Sequence, residues 1–248
     1  MDKFIEITHE AYYRELGDSF GDTIPSIFTD EPQFCHKSTL ACRGKKEGCP
    51  ALHGRFQRDL QGAYGSDFFD TFPECIWELP DGRVSANRYH YHDHICERFA
   101  NAFADNIGGW CHEHGIALTG HMMEEPTLAS QTAALGEAMR SYRSFDLPGI
   151  DMLCDSRELT TAKQAESAAH QFGLRGYAQR TLRRYQLGFD FRGHKLAGDW
   201  QAALGVTIRV HHLAWTSMAG EAKRDYPASI SYQPLVQGYH LIEDYSAA

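Results

Sequence analysis

Residues 116–128 read Ile116-Ala-Leu-Thr-Gly-His-Met-Met-Glu-Glu-Pro-Thr-Leu128. The stretch opens with a short apolar run bounded by glycines, which is typical of a buried strand. It continues into His121 and the pair Glu124-Glu125. A proline then stops the strand, and Thr127 stands where it can cap a helix. The pattern predicts a strand that carries a histidine and two carboxylates at its C-terminal end.

Two other stretches of the chain have the same design. One apolar run ends in Asp30 and Glu31, and another ends in Asp155 and Glu158. An α/β barrel or a parallel sheet presents its active site in this way, with functional side chains at the C-terminal ends of its strands. The three strand ends are therefore the candidates for a functional site.

Strand-like runs and helical patterns alternate along the chain, which predicts an α/β fold with parallel strands. Four strands are clear and a fifth is a candidate, whereas a (β/α)8 TIM barrel needs eight. We therefore predict an incomplete fold of the (β/α)8 TIM-barrel type, with four or five β/α units. Residues 1–248 would form a single catalytic domain or a fragment of one. A long loop insertion is predicted at about 33–88, and such excursions are often lids or binding loops.

Composition limits the class of protein. The 248 residues are 42% hydrophobic, enough for one large core, and the net charge of −9 argues against nucleic acid or an anionic membrane as the main partner. No apolar run approaches the roughly 18 residues of a membrane helix. The first residues lack the apolar region of a signal peptide. With seven scattered cysteines, we expect reduced thiols and a cytoplasmic protein, or a secreted one if the true N-terminus lies upstream.

Carboxylates are the candidate catalytic groups. Breaking a glycosidic bond needs one protonated carboxyl to help the leaving group depart and one ionised carboxylate to activate water or attack carbon. Glu31, Glu124, Glu125 and Glu158 could supply them. The alternative is structural, because an acidic residue before a helix also caps that helix and complements its dipole.

Histidines suggest a second chemistry. His90, His92 and His94 alternate, so they would share one face if that segment is extended. With His121, or with residues 211–212, they could bind zinc in a metal-dependent hydrolase. No H-E-x-x-H or paired C-x-x-C pattern accompanies them, and imidazoles also hydrogen-bond sugar hydroxyls. Calcium fits the oxygen-rich carboxylate set better.

Six strings in the chain are longer than the strand-end pattern alone requires; they span residues 27–34, 89–94, 118–126, 149–155, 191–195 and 198–201. These strings resemble glycoside hydrolase family 106, the α-L-rhamnosidase family and its uncharacterised relatives. The resemblance runs from about residue 8 to residue 245. Members of the family are much longer, so this chain resembles the later part of their catalytic barrel.

The resemblance implies a (β/α)8 catalytic barrel, inverting hydrolysis of terminal α-L-rhamnosides, and a calcium ion near the sugar. By position, Glu31 resembles the general acid and Glu158 the general base. Glu124 or Glu125 resembles an acidic residue at the calcium or the substrate, and we assign both as candidate metal ligands. An inverting pair stands roughly 6.5–9.5 Å apart, which leaves room for water.

The remaining site residues are expected to position the sugar. Six of them would bind sugar hydroxyls through an imidazole or a carboxylate: His90, His92, His121, Asp155, His194 and His211. The indole of Trp215, just past a strand end, would stack on a sugar face. The predicted partner is a carbohydrate substrate. Because an incomplete barrel exposes sheet edges, a second copy or the missing barrel portion is also expected to pair with the chain. The rival functions are a non-catalytic carbohydrate-binding remnant and the histidine-cluster hydrolase.

Overall fold

The computed structural model describes residues 1–34, 54–65, 68–152, 158–174, 176, 178–181 and 191–211. The chain divides into two compact units, Met1–Asp146 and Leu147–Ala248. Over the described ranges, no helix combines the length and the apolar character that crossing a bilayer requires.

Where the structure describes it, the first unit is mostly helical, with two strands that carry the motifs described above. Its α-helices are α1 (Asp2–Ile7), α2 (His9–Leu16), α3 (Phe56–Tyr64), α4 (Phe68–Thr71), α5 (Pro73–Ile76), α6 (Ala86–Phe99), α7 (Asn106–Glu113), α8 (Leu128–Ala134) and α9 (Ala138–Ser141). A π-helical segment, Ala100–Asp105, joins α6 to α7. Its strands are β1 (Ser26–Thr29) and β2 (Ala117–Gly120).

Strands β1 and β2 pair in parallel, with Ser26 opposite Ala117 and Thr29 opposite Gly120. The backbone N–H of His121 extends the ladder by donating to the carbonyl of Thr29 at 3.2 Å. Because both strands run in the same direction, their C-terminal ends meet at one edge. This confirms the two strands and their parallel arrangement.

The described part of residues 33–88 is helical. Helices α3, α4 and α5 pack against α6 through an apolar cluster of Phe56, Leu60, Phe68, Cys75, Tyr91 and Ile95. Phe56 and Leu60 are four residues apart, so they lie on the same face of α3 and both reach this cluster. The segment that follows the end of β1 thus builds a helical core on α6.

The described part of the second unit contains three parallel strands and two long helices. These are β3 (Leu147–Met152), α10 (Leu159–Phe172), β4 (Ala178–Thr181), α11 (Phe191–Ala203) and β5 (Ile208–His211). Strand β4 pairs with β3 on one side and with β5 on the other. Helix α10 ends before Gly173, whose φ of 67° is the left-handed conformation common after the last residue of a helix. Alanines of α10 pack against Ile150 and Met152 of β3.

The fold is therefore α/β with parallel strands, as predicted. A closed eight-stranded barrel is not seen among the described residues. Strand β4 lies in a segment whose sequence shows no clear hydrophobic period. It forms a strand because it pairs with β3 and β5 on its two sides, and not because of its own sequence pattern.

Helix α8 begins with the cap that its sequence predicts. The Thr127 hydroxyl accepts from the backbone N–H of Ser130 at 3.0 Å, and the Ser130 hydroxyl accepts from the backbone N–H of Thr127 at 3.3 Å. Such a reciprocal capping box satisfies two N–H groups that the helix itself leaves unpaired.

We expect Thr127→Ala to lower the free energy of unfolding by about 1 kcal/mol, because it removes the cap oxygen. The measurement is urea denaturation followed by circular dichroism. Thr127→Ser, which keeps the hydroxyl, should stay within about 0.5 kcal/mol of the wild type. Equal losses in the two variants would show that the methyl group, and not the cap, stabilises this helix start.

An aromatic cluster joins the two N-terminal helices to α7. The His9 ring lies 5.3 Å from Phe4 and 5.2 Å from Trp110, both edge-on, and its Nδ1 is 2.8 Å from the Thr8 hydroxyl. Trp110 donates its indole N–H to Glu10 at 2.7 Å. Among the described residues, the buried Nε2 of His9 has no hydrogen-bond partner. Burial accordingly lowers the pKa of His9 below its ordinary value.

The lowered pKa of His9 predicts a loss of stability in acid. The unfolded chain, in which a histidine has a pKa of about 6.5, binds the proton more readily than the folded chain. The stability that the neutral, buried His9 allows is therefore complete above about pH 6.5 and declines as the pH falls through that value. We expect His9→Gln to flatten the dependence of the unfolding free energy on pH between about 7 and 5. His170→Gln, at an exposed position of α10, is the matched control and should leave the slope unchanged; an unchanged slope in His9→Gln as well would contradict the prediction.

Candidate active site

A buried imidazole and two carboxylates meet at the ends of β1 and β2. His121 Nε2 lies 3.2 Å from Asp30 Oδ1 and 4.0 Å from Glu31 Oε1. The His121 side chain is 1% exposed, whereas those of Asp30 and Glu31 are 57% and 39% exposed. The Phe28 ring of β1 packs against the His121 imidazole, with the two ring centroids 5.6 Å apart. The strand ends thus present two solvent-accessible carboxyl groups over one fixed histidine.

The backbone is strained at both strand ends. Among the described residues, Glu31 and Glu124 are the non-glycine residues with positive φ, at 48° and 59°. This left-handed conformation is uncommon outside glycine, and strained residues cluster at active sites and ligand-binding sites. The observation supports a functional role for this edge of the sheet.

The adjacent glutamates Glu124 and Glu125 have different surroundings. Glu124 is exposed. Glu125 is 4% exposed, and its Oε1 accepts from the Tyr142 hydroxyl at 2.7 Å and, at a longer 3.4 Å, from the backbone N–H of Met122. Calcium ligands are oxygen atoms, so Glu124 offers an accessible one, whereas an oxygen of Glu125 is already hydrogen-bonded inside the unit. Both assignments as metal ligands remain predictions.

Tyr142 is a residue that the sequence did not identify. It lies in a 3-10 turn, Tyr142–Ser144, is 1% exposed, and stays a hydrogen-bond donor because burial and the charge of Glu125 raise its pKa well above the usual value. The two side chains are 17 residues apart in sequence. No short-range sequence pattern indicates such a pair, because the two residues are distant in the chain.

Three predicted sugar-binding or zinc-binding histidines lie on α6. The expectation that His90, His92 and His94 share one face is wrong, because the segment is a helix and not extended. Each helical residue advances by about 100°, so His90 and His94 share a side and His92 points elsewhere. His90 stacks on Tyr64 with ring centroids 4.3 Å apart, and His94 is buried, with its ring 5.3 Å from that of Phe56.

Because the three histidines do not share one face, the geometric argument for a zinc site no longer holds. Within the described ranges, no set of three potential metal-ligand atoms within 4.8 Å of one another includes a histidine of α6. The physical reason is that His90 and His94 occupy helix positions that pack against the α3 aromatics. A sugar-binding role for His90 and His92 stays a prediction.

Glu158, the predicted general base, belongs to the second unit. It precedes α10, and its carboxylate accepts from the Thr161 hydroxyl at 3.0 Å. It makes no side-chain hydrogen bond to the first-turn backbone of α10. Glu158 therefore stands at the N-cap position of α10, where its charge complements the helix dipole, without a capping hydrogen bond to the backbone. Its role as the general base stays a prediction.

The other predicted site residues are described in part. His194 lies in α11, and His211 is the last residue of β5. Asp155 and Trp215 lie outside the described residues. From the predicted set, the first unit places Glu31 next to His121 at the strand ends and places Glu124 and Glu125 in the turn that follows β2. Asp30, beside His121, and Tyr142, bonded to Glu125, are the additional residues.

Comparison with known proteins gives a likeness in fold. No family model matches the chain, and no curated protein sequence matches it. A solved structure of a rhamnosidase from Novosphingobium sp. PP1Y superposes with a TM-score of 0.63 at 17% identity, over 86% of this chain and 20% of that chain. The fold is rhamnosidase-like. The chain spans about a fifth of the length of that protein.

Proposed function

We propose that this chain carries part of the active site of a glycoside hydrolase that removes terminal α-L-rhamnosyl groups with inversion. The observation that carries the proposal is the position of Glu31, at the C-terminal end of β1 and 4.0 Å from the buried His121 of the neighbouring parallel strand. The rhamnosidase-like fold and the six motif strings support the choice of sugar.

In the proposed reaction, Glu31 is the general acid. As the bond between the anomeric carbon and the leaving oxygen breaks, the Glu31 carboxyl transfers its proton to that oxygen. Glu158 accepts a proton from the water that attacks the anomeric carbon from the opposite face. The configuration at that carbon inverts, and the two carboxyl groups exchange protonation states until solvent resets them.

Calcium is the cofactor that the family resemblance implies. The exposed carboxylate of Glu124, at a strained turn beside the site, fits a hard cation, whereas Glu125 fits it less well because Tyr142 holds one of its oxygens. When bound, calcium would fix sugar hydroxyls. The His121 ring, 4.0 Å from Glu31 Oε1 and 3.2 Å from Asp30 Oδ1, would interact electrostatically with both carboxyl groups whether or not the ion is present.

The test is release of p-nitrophenol from p-nitrophenyl α-L-rhamnoside by the full chain, with added calcium and with chelator. Proton NMR of the first-formed rhamnose reports its anomeric configuration. We expect release that Glu158→Gln abolishes or strongly reduces and that Glu31→Gln reduces much less, because p-nitrophenolate departs without much protonation. The product should have the inverted configuration. A retained configuration would contradict the mechanism. Sugar binding without turnover, unchanged in both variants, would instead indicate a carbohydrate-binding protein.

Association with further chain is part of the proposal, because the likeness covers a fifth of the solved rhamnosidase. A second copy or the remaining barrel portion would cover the sheet edges. Sedimentation equilibrium of the purified chain tests self-association, and a monodisperse, active monomer would overturn it.

A further inference from the structure

We propose that Tyr142 is a positioning residue of this site. Its hydroxyl holds the carboxylate of Glu125, and Glu125 in turn holds the segment that places His121 beneath Asp30 and Glu31. As far as turnover is concerned, the inference rests on the proposed glycosidase function. The placement of His121 can be tested without it.

One carboxylate oxygen joins two parts of the first unit. Glu125 Oε1 accepts from the Tyr142 hydroxyl at 2.7 Å and lies 3.4 Å from the backbone nitrogen of Met122, the residue directly after His121. Met122, Glu125 and Tyr142 are all buried, at 1%, 4% and 1% exposure. Because a buried carboxylate is stable only when its oxygens are hydrogen-bonded, the tyrosine fixes where this carboxylate lies.

A second brace holds the same turn from its other side. The amide nitrogen of Gln131 donates to the backbone carbonyl of Glu125 at 2.8 Å, and its amide oxygen accepts from the backbone N–H of Ala138 at 3.0 Å. Gln131 is fully buried. The turn therefore has both its side chain and its backbone tied to the helical segment that follows β2.

The turn needs these braces because it is strained. Glu124, between Met122 and Glu125, has φ of 59°, and strained conformations persist only where the surroundings over-determine them. Removing the Tyr142 hydroxyl takes away the shorter of the two hydrogen bonds to Glu125 Oε1, leaves the longer one from the Met122 N–H, and lets the turn relax. Since His121 is joined directly to this turn and has its ring close to Glu31, the relaxation displaces the imidazole.

The competing role for Glu125 is direct calcium ligation, with Tyr142 as a bystander. In that case Tyr142→Phe would leave the calcium-free site unchanged and would alter calcium affinity alone. The two roles are therefore distinguished by observing His121 in the absence of calcium.

The experiment uses the full chain, in chelator, and the imidazole Cε1–H signals of its histidines in two-dimensional NMR. The His121 signal is assigned by its loss in His121→Asn. We expect Tyr142→Phe and Glu125→Gln each to move the His121 signal and to leave that of His170, on α10 of the second unit, in place. Tyr12→Phe, at an exposed tyrosine of α2, is the matched control and should move neither signal.

Kinetics with the rhamnoside provide the second reading. Tyr142→Phe should lower kcat by about tenfold to a hundredfold, because it misplaces groups at the reacting bond, with KM within about twofold of the wild type. The loss in the double variant Tyr142→Phe, Glu125→Gln should be smaller than the product of the two single losses, because the two residues act through one hydrogen bond.

An unmoved His121 signal in folded Tyr142→Phe overturns the inference, whatever the activity. If Tyr142→Phe fails to fold, Glu125→Gln, which preserves the side-chain shape, decides in the same way. A wild-type chain without turnover whose His121 signal moves in these variants would refute the proposed glycosidase function while supporting the placement of His121 by Tyr142.

Discussion

Glu31→Gln should lower kcat for hydrolysis of an alkyl α-L-rhamnoside by about a hundredfold to ten-thousandfold, because an amide cannot donate the proton that the leaving oxygen needs. The substitution keeps the shape of the side chain, which is 39% exposed and 4.0 Å from His121 Nε2. Substrate contacts should therefore persist and KM should change little. Glu15→Gln, the same change at an exposed position of α2, should leave kcat unchanged.

The leaving group gives this prediction its specific signature. p-Nitrophenolate departs without much protonation, whereas an alkoxide requires it. The loss in Glu31→Gln should therefore be small on p-nitrophenyl α-L-rhamnoside and large on an alkyl rhamnoside. Glu158→Gln, which removes the base that activates water, should lose similar activity on both substrates. Equal losses in Glu31→Gln on the two substrates would exclude Glu31 as the general acid.

Gly120→Ala should lower the free energy of unfolding by about 3 kcal/mol or more, from the combined costs of a strained φ and an overpacked contact. Gly120 has φ of 131°, and a Cβ built there would stand 2.1 Å from the carbonyl oxygen of Thr29 and 2.6 Å from its nitrogen. These are backbone atoms of the adjoining strand, so the strand itself would have to move. Urea denaturation measures the loss.

Gly62→Ala is the matched control for Gly120→Ala. Gly62 lies inside α3, and a Cβ there would meet nothing within 4 Å. We expect it to raise the free energy of unfolding by about 0.5–1 kcal/mol, since alanine favours a helix interior. A Gly120→Ala chain as stable as the wild type would show that β1 and β2 can separate at this point, and it would weaken the close approach that brings Glu31 to His121.

The motif after each strand was predictable from the sequence because its causes are local. An apolar run, a glycine, a proline and a capping hydroxyl within 13 residues were enough to locate β2 and the start of α8. The apolar run that ends in Asp30 and Glu31 located β1 in the same way. Parallel pairing then follows from the alternation of strands and helices, and it brings the ends of β1 and β2 together.

The alternating histidines of residues 90–94 would share one face in an extended segment, whereas this segment is part of the helix α6. His90 and His92 alternate with tyrosines, a pattern that an extended segment and a helix can both accommodate. The helix forms because Tyr91 and Ile95, four residues apart, both reach the cluster that holds Phe56 and Phe68. Those partners lie more than 20 residues earlier in the chain, so no local window contains the deciding contact.

The sequence by itself determined the strand ends and the carboxylates that they carry, because periodicity and capping act over a few residues. Only the tertiary structure decided which acidic residues are accessible and which are internal. Glu124 and Glu125 are adjacent and chemically identical, yet one faces solvent and the other is held by Tyr142. Burial and pairing depend on residues distant in the chain, and these determine what each carboxylate can do.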